Sequence, residues 1–320
     1  MSKKRFITVL VSSCAIAGAI TYIILSVAAI SARARKNARY VEPDYIRYAA
    51  QGYSFDSISK KTNILLTVTD GNSPLRIHLF TLDEDKKTLD ILDIPPLTYV
   101  VADGFSGTLR KAYETSVYKE IVSDSLALPV HYQLSMTDDA LSTAVMLLDT
   151  TSARLSRQIS LSGKTLKKGS VSFDKDLSRD VIAIENAYSD EDSVYIYHAL
   201  LSSVILRLGD LGALESVSKL TGLILNSVKT DMSVSDIIDI ASVSSTVSID
   251  KTKIYLLPGE ICLHNGETVY SAHLNEVCEL LNKSFRTKGG DVEAENLGIG
   301  EITDTGRRFD LPRRINDYKD

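Results

Sequence analysis

Twenty-five consecutive residues, Phe6 to Ile30 (FITVLVSSCAIAGAITYIILSVAAI), carry no charge. As a helix rising about 1.5 Å per residue, such a run crosses a hydrocarbon layer of about 30 Å with some tilt. A cleaved signal peptide would have a shorter apolar core ending at a small-residue cleavage site. A lipoprotein signal could use Val11-Ser12-Ser13-Cys14, but the chain stays apolar for sixteen residues after Cys14. A spanning helix fits best. Basic residues flank both ends, so the positive-inside count does not orient it. The short amino-terminal tail makes an inside amino terminus the easier topology. The expected organisation is a cytoplasmic tail (1–5), a transmembrane helix (6–30), a stalk (31–61), one extracytoplasmic domain (62–286) and a disordered tail (287–320).

Charge narrows the partners. Of the 36 Lys and Arg residues, seven lie in residues 1–40, where there is no acid. The remaining 280 residues carry 29 basic and 41 acidic groups, a net charge of −12. A phosphate backbone demands a basic face, so nucleic acid is not an expected partner of this domain. Beyond Cys14 the cysteines are Cys262 and Cys278. They could pair in an oxidising compartment or stand as two separate buried thiols.

Strand and helix patterns interleave. Asn63–Val68 is a short apolar run, Ile77–Leu82 alternates, and Leu89–Ile94 alternates again. The stretch Asp70–Pro74 (DGNSP) has turn chemistry. Helical spacing marks Val117–Leu126, Asp138–Leu148, Ser193–Leu208, Ala213–Val228, Val234–Ser244 and His273–Phe285. His131–Leu134 and Lys253–Leu257 read as strands, and residues 152–185 as strands and loops. The fold class expected is α/β with one mixed sheet. After Phe285 there is little apolar periodicity.

Common catalytic motifs are missing. There is no GxGxxG, no GxxxxGK[ST] and no GxSxG, and the five histidines have no metal-ligand spacing. What remains is an order of segments: NILLTVTD, then LRIHLFTLDEDKKTLDILDIPPLTYV, GTLRKAYE, LPVHYQLSMTDDALSTAVMLL, a long helix, and YLLPGE with GETVYSAHLNEVCELL. From about Asn63 to Phe285 this order resembles the LytR-CpsA-Psr family of cell-envelope proteins. The resemblance implies a three-layer α/β/α sandwich behind one membrane helix. It also implies an apolar cavity for a polyprenyl phosphate, and transfer of glycopolymers to peptidoglycan with Mg2+ at the pyrophosphate. Carboxylates would hold the metal and arginines the phosphates.

Carried over by position, Asp70 matches the family's first acid and is the one candidate metal ligand. The second acid falls on Leu75, followed by Arg76. The family's Ile-Pro-Arg-Asp-Thr-Tyr-Val aligns with residues 94–100, where Pro96 and Leu97 replace the arginine and aspartate. The later arginine falls on Asn186. The helix-borne arginines fall on Val194 and Tyr197, with His198 beside them. Arg76, Arg110 and Lys111 are candidate replacement cations, Arg76 for the reaction and the other two for lipid phosphate. A pyrophosphate buried without cations pays a large desolvation cost. The expected protein therefore keeps the family frame, binds a polyprenyl lipid, glycopolymer or envelope-assembly protein, and lacks the usual reaction. The alternatives are a divergent active phosphotransferase using Asp70 with Arg76, Arg110 or Lys111, and an unrelated extracytoplasmic adaptor.

Overall fold

The computed structural model describes residues 61–320, apart from 103, 150, 162, 185–186, 211–226, 234–235, 237–239, 241–246, 287–290, 303–308 and 320. The membrane segment expected for residues 6–30 and the stalk expected for 31–61 lie outside the described residues apart from Lys61, which opens the first strand, as do most of the helices expected at 213–228 and 234–244. Among the described residues no helix is long and apolar enough to cross a membrane.

The chain runs through β1 (Lys61–Thr69), β2 (Pro74–Asp83), β3 (Thr88–Ile94), β4 (Tyr99–Ala102), β5 (Phe105–Thr108), α1 (Leu109–Ala112) and α2 (Tyr118–Leu126). It continues through β6 (Tyr132–Thr137), α3 (Asp138–Leu147), β7 (Ser152–Leu155), β8 (Ile159–Leu161), β9 (Lys164–Leu166), β10 (Gly169–Ser172) and α4 (Lys175–Ile182). Then come α5 (Glu191–Asp210), β11 (Val228–Thr230), β12 (Lys253–Leu256), β13 (Gly259–His264), β14 (Glu267–Ala272) and α6 (Leu274–Leu280). The last expected helix closes with a single π turn, Leu281–Phe285. Helix α4 lies in a region expected to hold strands and loops. Its start is set by Asp174, whose side chain accepts the Leu177 N–H.

Six strands form one mixed sheet in the order β11-β6-β1-β2-β3-β12. β1 is parallel to β6 and β3 to β12, while β2 runs antiparallel between β1 and β3. Side chains alternate across such a sheet, so each strand serves two cores. Leu65, Ile77, Leu79, Leu92 and Ile94 face one cluster with Ile121 and Val122 of α2 and Val277 of α6. Ile64, Leu82, Leu89 and Ile91 face the other, with Leu201 and Ile205 of α5.

The segment expected to be a disordered tail is instead packed where it is described. Val292, Leu297, Ile299, Ile315 and Tyr318 are buried. Gly298 and Gly300 pair with β4, through Val101 N–H to the Gly298 carbonyl (2.7 Å) and Gly300 N–H to the Tyr99 carbonyl (2.9 Å). Further on, Ile254 N–H donates to the Arg313 carbonyl at 2.8 Å, covering the outer edge of β12. An exposed sheet edge is a template for unwanted pairing, and this cover removes one. Cys262 is half-buried and Cys278 buried, and the two are not joined to each other.

Candidate functional site

The carboxyl ends of β1, β3, β6 and β12 open at one pole, and the expected mouth residues divide there into two groups. Asp70 is exposed in the β1–β2 turn. Its Oδ1 accepts the N–H groups of Asn72 (2.8 Å) and Ser73 (2.7 Å). Those two bonds, Ser73's first, hold its carboxyl below the usual range, and the charge of Arg110 adds to the effect. Arg110 and Lys111 are exposed on α1. Lys111 is spent on Glu267 at 2.6 Å. Asp70 and Arg110 therefore do share one mouth.

Arg76 does not reach it. The side chain is fully buried. Its Nε donates to the Ile182 carbonyl (3.1 Å) and Nη2 to the Val181 carbonyl (2.9 Å). The guanidinium lies 4.1 Å from the Tyr197 ring centre and 5.3 Å from that of Tyr188. Burial opposes its charge, but Tyr188, Tyr197 and Asp93 outweigh burial and keep it charged. The expectation that Arg76 serves the mouth is corrected: strand alternation turns it inward with His78, Phe80 and Leu82.

The replaced family positions have local structural reasons. Pro95 accepts the Thr98 N–H at 2.9 Å, which makes residues 95–98 a tight turn. Pro96 occupies its second position, where a fixed φ favours the turn. The Pro96 carbonyl accepts the Arg110 N–H at 2.7 Å and that of Leu97 accepts the Tyr270 N–H at 2.7 Å. Leu97 packs on the first core cluster, and Leu75 on a third built by Val68, Val145 and Tyr195. Val194 and Tyr197 are buried. Asn186 lies outside the described residues.

What these substitutions assemble is a sealed polar cluster under α5. His78 and Asp93 sit opposite each other on β2 and β3. Asp93 Oδ1 accepts the Tyr188 hydroxyl at 2.7 Å, and Oδ2 lies 3.0 Å from His198 Nε2. Burial works against its charged form, but the His198 hydrogen bond and the charges of His78, His198 and Arg76 hold the carboxyl below its usual range. His78 Nε2 stands 3.6 Å from Asp93 Oδ1, too far for a hydrogen bond. Burial pushes His78 down to about 4. Burial also pushes the Tyr188 and Tyr197 hydroxyls well up, so both stay protonated. Sequence reasoning missed Asp93, His78, His198 and Tyr188 as a group. The signal was register: Asp93 shares parity with the inward residues Leu89 and Ile91 of its strand.

Tyr188 also borders a cavity of about 290 Å³, lined with Ser189, Gly259, Glu260, Ile261 and Phe309. Neither Asp70 nor Arg110 lines it. The residues do not fit Mg2+ either. Hard cations want several oxygen ligands, even when water supplies some. At the mouth the family's other acidic positions are Leu75 and Leu97, and the Glu267 carboxylate nearby is paired with Lys111. No group of three or more His, Cys, Asp or Glu suited to a metal occurs among the described residues.

No family model and no curated protein matches the sequence. Solved structures do match. Protein gbs0355 from Streptococcus agalactiae superposes with a TM-score of 0.61 at 14% identity, over 81% of this chain and 96% of that one. B. subtilis TagV gives 0.56 at 16% identity, over 70% and 97%. A structure of TagT bound to LIIa-WTA gives 0.56 at 19% identity, over 78% and 93%. TagT and TagV are LytR-CpsA-Psr proteins. This chain carries the LytR-CpsA-Psr fold. On that fold, the polar cluster of Arg76 and Asp93 stands inside the frame, and the mouth keeps Asp70 and Arg110.

Proposed function

We propose that this protein is anchored in the cell membrane by residues 6–30, with its main domain outside the cytoplasm. There it takes part in cell-wall glycopolymer assembly, binding a polyprenyl-phosphate lipid, a glycopolymer or an envelope-assembly partner without the usual transfer. One observation carries the loss of transfer. Arg76, the cation nearest the family's second acidic position, is buried against two backbone carbonyls and two tyrosines. It cannot grip a phosphate at the mouth without leaving the core. Lys111 is already paired with Glu267, which leaves Arg110 as the mouth's unspent cation among the expected residues. One arginine is a thin set of donors for a pyrophosphate. The TagT complex with LIIa-WTA supports a glycopolymer as the class of ligand.

A divergent active phosphotransferase is the second reading, favoured by the ionised Asp70 beside Arg110. The two readings separate in one experiment. Full-length protein is incubated with lipid-pyrophosphate-linked glycopolymer, peptidoglycan and Mg2+. Retention of the lipid without product supports the first reading; product lost in Asp70→Asn and Arg110→Ala supports the second.

A further inference from the structure

We propose that Arg76, His78, Asp93 and His198 form a proton-operated latch, in which protonation of His78 releases the Tyr188 turn and the first half of α5 from the sheet. The cluster sits where several elements meet. Asp93 on β3 holds the turn through Tyr188 at 2.7 Å and α5 through His198 at 3.0 Å. Arg76 on β2 holds the end of α4 through the Val181 and Ile182 carbonyls. One carboxylate and one guanidinium thus fasten this layer to the sheet at that pole.

The charges around His78 are balanced only while its ring is neutral. The groups facing His78 are Arg76 from its own strand, Asp93 from β3, Tyr197 and His198 from α5, and Tyr188 from the turn between α4 and α5. Of these, Arg76 and Asp93 are charged, one of each sign, and the tyrosines are held protonated by burial. Neither ring nitrogen of His78 has a hydrogen-bond partner, nor does His198 Nδ1, Arg76 Nη1 or the Tyr197 hydroxyl. A proton on His78 therefore adds a second cation beside Arg76, with no further acid than Asp93 facing it among the described residues. Attraction to Asp93 at 3.6 Å is already outweighed by burial, which is why His78 resists protonation. An uncompensated buried charge is relieved by opening to water. Release would also free Tyr188, one wall of the 290 Å³ cavity, so the cavity would widen in acid. The latch does not depend on which lipid or polymer the protein meets.

Hydrogen exchange of the full-length chain in detergent micelles, corrected for intrinsic rates and compared at pH 7.5 and 4.5, tests this. Amides of 187–205 should lose at least about tenfold protection in acid while those of β1 and β2 keep theirs. His78→Gln and His198→Gln, combined, should cut that loss to under threefold. Equal acid loss in the wild type and the double variant would overturn the latch, as would loss spread evenly over the sheet. If the double variant fails to fold, histidine ring NMR on the wild type decides. A shared midpoint for ring protonation and loss of protection supports the latch, and separate midpoints contradict it.

Discussion

The Tyr188 hydroxyl donates to Asp93 over 2.7 Å, tying the turn before α5 to the carboxyl end of β3. Removing either partner leaves the other buried and unsatisfied. Asp93→Ala should cost about 3–5 kcal/mol, because Arg76 would remain as an unpaired buried cation. Tyr188→Phe should cost about 1–3 kcal/mol, the usual penalty for an orphaned buried acceptor. Urea unfolding followed by circular dichroism measures both.

Asp70 and Lys111 should behave as surface residues in the same assay. Asp70→Asn keeps an acceptor for the Ser73 and Asn72 amides, and the Lys111–Glu267 pair is more than half exposed on both sides. Each substitution should change stability by about 0.5 kcal/mol or less.

Stability should fall with acid between pH 6.5 and 4. His131 Nδ1 accepts the Asn63 N–H at 2.9 Å, which requires a neutral ring on that side. Burial pushes this histidine down to about 4. Its folded pKa lies below the unfolded one, so its contribution is complete above pH 6.5 and is lost as pH falls toward 4. The full shift is worth about 3 kcal/mol. Asp90 acts in the opposite sense: burial raises it to about 6, so its contribution is present below pH 4 and lost as pH rises through 6. With His78 sharing the direction of His131, the two histidines outweigh the one aspartate. Denaturant midpoints across this range should show the net fall, and His131→Gln should flatten it.

The carboxyl-terminal segment should be needed for a stable, monodisperse domain. A Cβ at Gly298 would stand 2.8 Å from the Ala102 Cβ. Gly298→Ala should therefore cost about 1–3 kcal/mol through overpacking. Ending the chain after residue 290 would bare the β12 edge, and light scattering should then report aggregation.

Strands β1, β2, β3, β6 and β12 and helices α2, α3 and α5 were legible because their apolar residues repeat at periods of two and near 3.6, whereas α4 was not. The 94–100 frame was legible too, since Pro95, Pro96 and Thr98 have turn chemistry that survives the loss of charged neighbours. Three further features were not. Arg76 was read by its type, as a mouth cation, although its parity with His78 and Leu82 points inward. The carboxyl-terminal segment has no period: Leu297 and Ile299 enter one core cluster, Ile315 a second and Tyr318 a third, and irregular packing leaves no pattern in the sequence. The Asp93 cluster draws on β2, β3, the turn at Tyr188 and α5, and only their folding together makes it visible.

The most direct measurement is glycopolymer transfer by the purified full-length chain, with lipid-pyrophosphate donor, peptidoglycan and Mg2+, beside the Asp70→Asn variant. Binding of the donor with no transferred product in either protein is the expected result. Product that depends on Mg2+ and disappears in Asp70→Asn would contradict the account.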